Sequence, residues 1–155
     1  MAIPYQKVMV TLDGSDVALQ ALPQAELIAA TFNCKLILFR VIRSEERKTA
    51  LVMSEDDQKH VEEGIAQHRS QHISDTEETL HNIVATLDLP AEQCEVAVGV
   101  GEAAEEIIHY AVAQDIDLII ICTHGRSGVR RLMRGSVAEK ILHDSSRPVL
   151  LVRAQ

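Results

Sequence analysis

With 155 residues, 46% of them hydrophobic, the chain is long enough to bury one core of its own without metal or disulfide staples. A formal charge of −8, with only two Tyr, two Phe and no Trp, excludes a duplex-DNA reader with a broad basic face and a single-strand binder that stacks bases on aromatic rings. Cys34, Cys94 and Cys122 are widely spaced with no Cys-x-x-Cys pair, which argues against a secreted disulfide framework or structural zinc and for a reducing cytoplasm. The start, Met1–Lys7, lacks a signal-peptide core, and no apolar run approaches the length of a membrane span, so neither membrane nor nucleic acid is an expected partner.

In chain order, Val8–Leu12 is a short apolar run that leads into the turn Asp13-Gly14-Ser15-Asp16. A helical pattern follows, in which Pro23 is expected to cause a local distortion. Leu36–Ile42 is the second run. The polar stretch Ser44–Gln71 reads as a loop running into a long exposed helix interrupted by Gly64. Ile73, Thr76, Leu80, Ile83, Val84 and Leu87 then continue at three-to-four spacing, which buries one stripe. Cys94–Val98 is the third run, and Ala103, Ala104, Ile107, Ile108, Ala111 and Val112 repeat with helical period after it. Leu118–Ile121 is the fourth, a helix opens at Gly135-Ser136, and Val149–Val152 is the fifth. Several runs are apolar without alternation, as strands covered on both faces must be. The order β-α-β-α-β-α-β-α-β predicts an α/β fold: a single domain over residues 1–155, built on an open parallel five-stranded sheet with helices on both faces.

Open sheets of this kind bind ligands at the carboxyl ends of their strands, where strand order reverses. In the first turn, Asp13 is placed to accept hydrogen bonds from ribose hydroxyls or to sit near a metal; the competing reading is a helix cap from Asp13 or Ser15. The fourth turn carries more information. It runs Ile121-Cys122-Thr123-His124-Gly125-Arg126-Ser127-Gly128 and, after Val129 to Arg134, Gly135-Ser136-Val137-Ala138-Glu139. Glycines let backbone approach a phosphate closely, and the helix opened by Gly135-Ser136 offers free N–H groups and a positive dipole end. Ser136 and Glu139 also fit a Ser-x-x-Glu capping box, and Arg126, Arg130, Arg131 and Arg134 supply forked donors for one or two phosphate contacts.

The run from Thr123 to Gly128, then Gly135 to Glu139 and a final Arg147-Pro148-Val149-Leu150-Leu151-Val152, resembles the C-terminal signature of universal stress proteins. Val10-Thr11-Leu12-Asp13-Gly14-Ser15 is similar to that family's first strand and turn, so the resemblance covers essentially the whole chain. It implies a Rossmann-like fold, close to that of the adenine nucleotide alpha hydrolases, and an ATP-binding regulatory module in the stress response. The ATP-binding branch carries Gly-x2-Gly-x9-Gly-Ser/Thr. Here Gly125-x9-Gly135-Ser136 supplies the second half, while Cys122 replaces the first glycine and puts a thiol where the backbone meets ribose and phosphates. By position, the resemblance implies Asp13 at the ribose, Val41 against adenine, and Thr11 among the nucleotide-binding residues. Ile121 and Cys122 flank the nucleoside, and Gly125, Arg126, Gly128, Gly135, Ser136 and Val137 surround the phosphates. It further implies ATP, with or without Mg²⁺, or another adenylate as ligand. The expected partners are a second copy, paired through Val149–Val152 as a homodimer, and an unknown regulatory protein. Any ATP hydrolysis is expected to be slow. The alternative is a dimeric interaction protein of the same fold without a nucleotide.

Three other patterns are weaker. Gly99-Val100-Gly101-Glu102-Ala103-Ala104 matches a dinucleotide fingerprint, but no acidic residue ends the next strand, so Gly101 reads as a turn and helix start. His68 and His72 share one helical face yet have no third ligand, and read as a solvated face. There is no Gly-x4-Gly-Lys-Ser/Thr loop and no Ser-Gly-Gly-x-Asp-Ser turn, which argues against fast phosphoryl or adenylate chemistry.

Overall fold

A computed structural model describes residues 5–43, 55–123 and 136–155, with side chains in the second stretch from Lys59 onward. Five strands form one sheet: β1 (Lys7–Thr11), β2 (Lys35–Ile42), β3 (Cys94–Val100), β4 (Leu118–Thr123) and β5 (Val149–Arg153). The order across it is β3-β2-β1-β4-β5, and every pairing is parallel. The five apolar runs are these five strands, and the α/β class expected for them holds. Val8, Met9 and Val10 are fully buried in the central strand, as a strand with helices on both sides requires.

Side-chain alternation divides the core into two layers. Val8, Val10, Leu36, Leu38, Leu118 and Ile120 face one side. There they meet a 3-10 turn (Ala18–Ala21), α1 (Leu22–Phe32) and the end of α2 (Glu55–Val84). Met9, Ile37, Phe39, Ile119 and Ile121 face the other side, under α3 (Ala103–Ala113) and α4 (Ser136–Asp144). At the amino end of the sheet, the Asp117 carboxylate accepts the backbone N–H groups of Gln6 and Lys7 at 2.8 and 2.9 Å, which ties the start of β1 to that of β4.

Three expectations are corrected. Pro23 does not distort a helix interior: the chain turns first as a 3-10 segment, and Pro23 falls in the first turn of α1, where its missing N–H costs nothing. Gly64 does not interrupt α2, which runs unbroken for 30 residues. Nothing lies within 4 Å of where a Cβ on Gly64 would be. The capping box is also not formed: α4 starts at Ser136 itself, and among the described residues neither Ser136 nor Glu139 makes its hydrogen bonds.

Candidate functional site

The chain moves outward from β1 through β2 to β3, then returns to β4 on the other side of β1. Strand order therefore reverses between β1 and β4, and at their carboxyl ends the loops diverge to opposite faces and leave a crevice. A cavity of about 220 Å³ opens there. Its floor is the row Phe39–Thr11–Ile121 from β2, β1 and β4; Thr11 pairs with Phe39 in register, and Val10 pairs with Ile120, so Ile121 stands on its other side. Ala103 and Ile107 of α3 close one wall, and Val137 and Ala138 of α4 another. Phe39 is held from behind by Tyr110, the rings stacked at 4.4 Å.

The rim is polar. Asp13 follows β1 and uses Oδ1 to accept the Ser15 backbone N–H at 2.9 Å and the Ser15 hydroxyl at 2.6 Å. Ser15 Oγ in turn accepts the N–H of Ala18 at 3.2 Å, which starts the 3-10 turn. The capping reading of this turn thus operates while Asp13 still lines the cavity. Gly14 sits at φ +87°, and a Cβ there would come within 2.5 Å of Nη2 of Arg40, so the Arg40 guanidinium lies directly against the turn. Arg40 was missed by sequence reasoning; a cation inside the otherwise apolar run Leu36–Ile42 is the signal that could have found it.

Ser136, Val137 and Thr123 complete the lining with Cys122. The Cys122 side chain points to the α1 face, where it packs on the core, and its edge reaches the cavity. It borders the opening without filling it. Burial first, and the nearby Asp13 charge second, push its thiol above the usual cysteine range, so it is a neutral thiol at physiological pH.

Seven of the residues singled out from sequence, Thr11, Asp13, Val41, Ile121, Cys122, Ser136 and Val137, come together around this one cavity. Gly125, Arg126, Gly128 and Gly135 lie outside the described residues. Leu12, Ala18, Phe39, Ala103, Ile107, Thr123 and Ala138 also line it and were not foreseen. The apolar ones look like ordinary core in sequence, and only the sheet's register turns them toward the crevice.

The glycine pair at the end of β3, Gly99 and Gly101, is filled by the chain itself. A Cβ on Gly101 would meet Oε1 of Glu106 at 3.0 Å, and one on Gly99 would meet Phe39 at 2.9 Å. Gly101, at φ +152°, makes the turn into α3, where Glu102 caps the helix by accepting the N–H of Glu105 at 3.1 Å. A carboxylate over this turn repels a pyrophosphate, in agreement with the turn reading. His68 and His72 are exposed on α2, and the described residues hold no cluster of three metal-ligating side chains.

A family model described as the universal stress protein family matches residues 4–153. The chain belongs to the universal stress protein family. It is 30% identical over 153 residues to a universal stress protein of Bacillus subtilis, covering 96% of this chain and 99% of that one. It is 27% identical over 158 residues to one of Methanocaldococcus jannaschii, covering 99% and 98%. The solved structure of that archaeal protein superposes with a TM-score of 0.74 at 26% identity over 99% of each chain. A universal stress protein solved in complex with cAMP shares the fold at a TM-score of 0.63 and 24% identity, over 99% of this chain and all of the other. One from Arabidopsis thaliana, solved with AMP bound, shares it at 0.53 and 16%, over 97% and 92%.

Proposed function

We propose that this universal stress protein binds an adenine nucleotide, ATP foremost, in the crevice between β1 and β4, and acts as a regulatory module in the stress response. The observation that carries the reading is the cavity itself. An apolar floor of Phe39, Val41 and Ile121 suits a flat base, and Asp13 at the rim suits a ribose. The first N–H groups of α4 at Ser136 and Val137 suit phosphates. The cavity stays open although Cys122 replaces the family's first motif glycine. Adenylates bound to two relatives of the same fold agree with this ligand class. Mg²⁺ would arrive with the triphosphate as its counter-ion.

Among the described residues no lysine lines the cavity, so developing charge on a transferred phosphoryl group would be poorly stabilised there. Binding, with at most slow hydrolysis, is the activity proposed. We place the protein in the cytoplasm as one domain over residues 1–155; no described helix is long and apolar enough to cross a membrane. A homodimer would form through β5, an edge strand on which Leu151 is 40% exposed. Such an edge offers an unpaired backbone row to a second copy. A regulatory protein partner completes the proposal.

Titration calorimetry of the purified protein with ATP, ADP, AMP and cAMP, with and without Mg²⁺, tests the reading. Binding of at least one of them is expected, and no heat with any of the four would refute it. The second reading, an interaction protein without nucleotide, is favoured only by the thiol at the cavity edge. It requires that the Cys122→Gly variant bind ATP while the parent does not.

A further inference from the structure

Thr11 is 93% withdrawn from solvent (7% exposed) at the centre of an apolar floor. As the residue two after Met9, it faces the α3 and α4 side of the sheet, between Phe39 and Ile121. Among the described residues its hydroxyl has no hydrogen-bond partner. The hydroxyl oxygen is not sealed in, since no fully buried side-chain polar atom among the described residues lacks a partner; it meets the cavity, and a ligand that covers it must supply the hydrogen bond that water would otherwise make. The hydroxyl points into the cavity, which is where a partner can be supplied.

Resting on the nucleotide reading above, we propose that Thr11 is the residue that reads the heterocyclic base of the ligand, by a hydrogen bond from or to a ring nitrogen or ring substituent. Polarity decides which part of the ligand reaches it. Phosphates carry full charge and stay at the rim, where Ser136 and Asp13 are exposed. The flat, uncharged ring is the part that goes deepest, onto Phe39 and Ile121. A hydroxyl fixed among apolar side chains then penalises any ring that presents carbon at that point, because both the ligand and Thr11 lose water and gain nothing. Thr11 therefore acts as a specificity-determining residue, whereas its apolar neighbours supply affinity common to all flat rings.

The test is a comparison of the parent, Thr11→Val and Thr11→Ser, each first shown to be folded by its thermal unfolding transition. Calorimetry is run with AMP, with its 1-deaza, 3-deaza, 7-deaza and 6-deamino analogues, and with 2′-deoxy and 3′-deoxy AMP. Thr11→Val is expected to weaken AMP about five- to tenfold, the size of one buried hydrogen bond. Thr11→Ser, which keeps the hydroxyl, is expected to stay within about twofold of the parent. One base analogue should bind the parent about as weakly as AMP binds Thr11→Val, and should bind both proteins equally. Equal AMP affinity in the parent and Thr11→Val overturns the proposal. So does a loss that couples to a deoxyribose analogue instead of a base analogue. A parent that binds none of these ligands refutes the nucleotide reading itself, and the role of Thr11 with it.

Discussion

The turn after β1 depends on a single glycine. At φ +87°, Gly14 occupies the left-handed region, which L side chains enter at a cost of about 1–2 kcal/mol. The guanidinium of Arg40 already fills the space of a Cβ. Gly14→Ala should therefore lower the unfolding free energy by about 1–2 kcal/mol in urea and displace Asp13 from the cavity rim. A variant as stable as the parent would show that the turn can be rebuilt. Cys122 behaves differently, because its side chain shapes the rim without joining the chemistry. Its raised pKa has a definite sign: the protonated thiol is the folded form at neutral pH, and its contribution is lost as pH rises through the raised value. Alkylation of Cys122 by iodoacetamide, followed by peptide mass spectrometry, should be slow at pH 7, faster in the alkaline range, and slowed further by bound nucleotide. A thiol that reacts rapidly at pH 7 would contradict its half-buried environment near the Asp13 charge.

At the scale of elements, α2 is a long helix held by a short section. Its 30 residues extend about 45 Å, but the fully buried anchors, Thr76 and Leu80, lie in the last third. Leu80→Ala should cost about 2–5 kcal/mol, as removal of a core leucine does. Gly64→Ala, with open space around the new methyl, should be neutral or stabilising by up to about 1 kcal/mol. Urea unfolding of the two variants checks the contrast, and similar effects from both would mean that the exposed half is packed after all. The elements themselves were legible from pattern: Leu118–Ile121, for one, announces a strand covered on both faces because it does not alternate. Pro23 and Gly64 were misread because their effect depends on position within the helix. A proline is harmless in the first turn, and one glycine does not end a helix whose flanks propagate it.

For the whole molecule, β4 connects the site to the proposed dimer edge, since it supplies Ile121 and Cys122 to the cavity and pairs with β5 beyond. Leu151→Glu should convert a β5-mediated dimer to monomer in sedimentation velocity while leaving adenylate affinity near the parent value; a dimer that persists would place the contact elsewhere. Much of the site was readable without coordinates: the turns holding Asp13 and Cys122 follow from where the apolar runs end, while Thr11, Val41 and Ile121 were implied by the family resemblance. Hydrophobic period by itself determined the order of elements and the parallel sheet, since strands covered on both faces must be unbroken Val, Ile and Leu. Tertiary structure alone decided that Phe39 becomes a floor, that Arg40 rests on Gly14, and that the Thr11 hydroxyl meets the cavity with no hydrogen-bond partner among the described residues. Those facts depend on which strands are neighbours and which helix covers each face, and contacts between residues distant in the chain are not encoded in any local period.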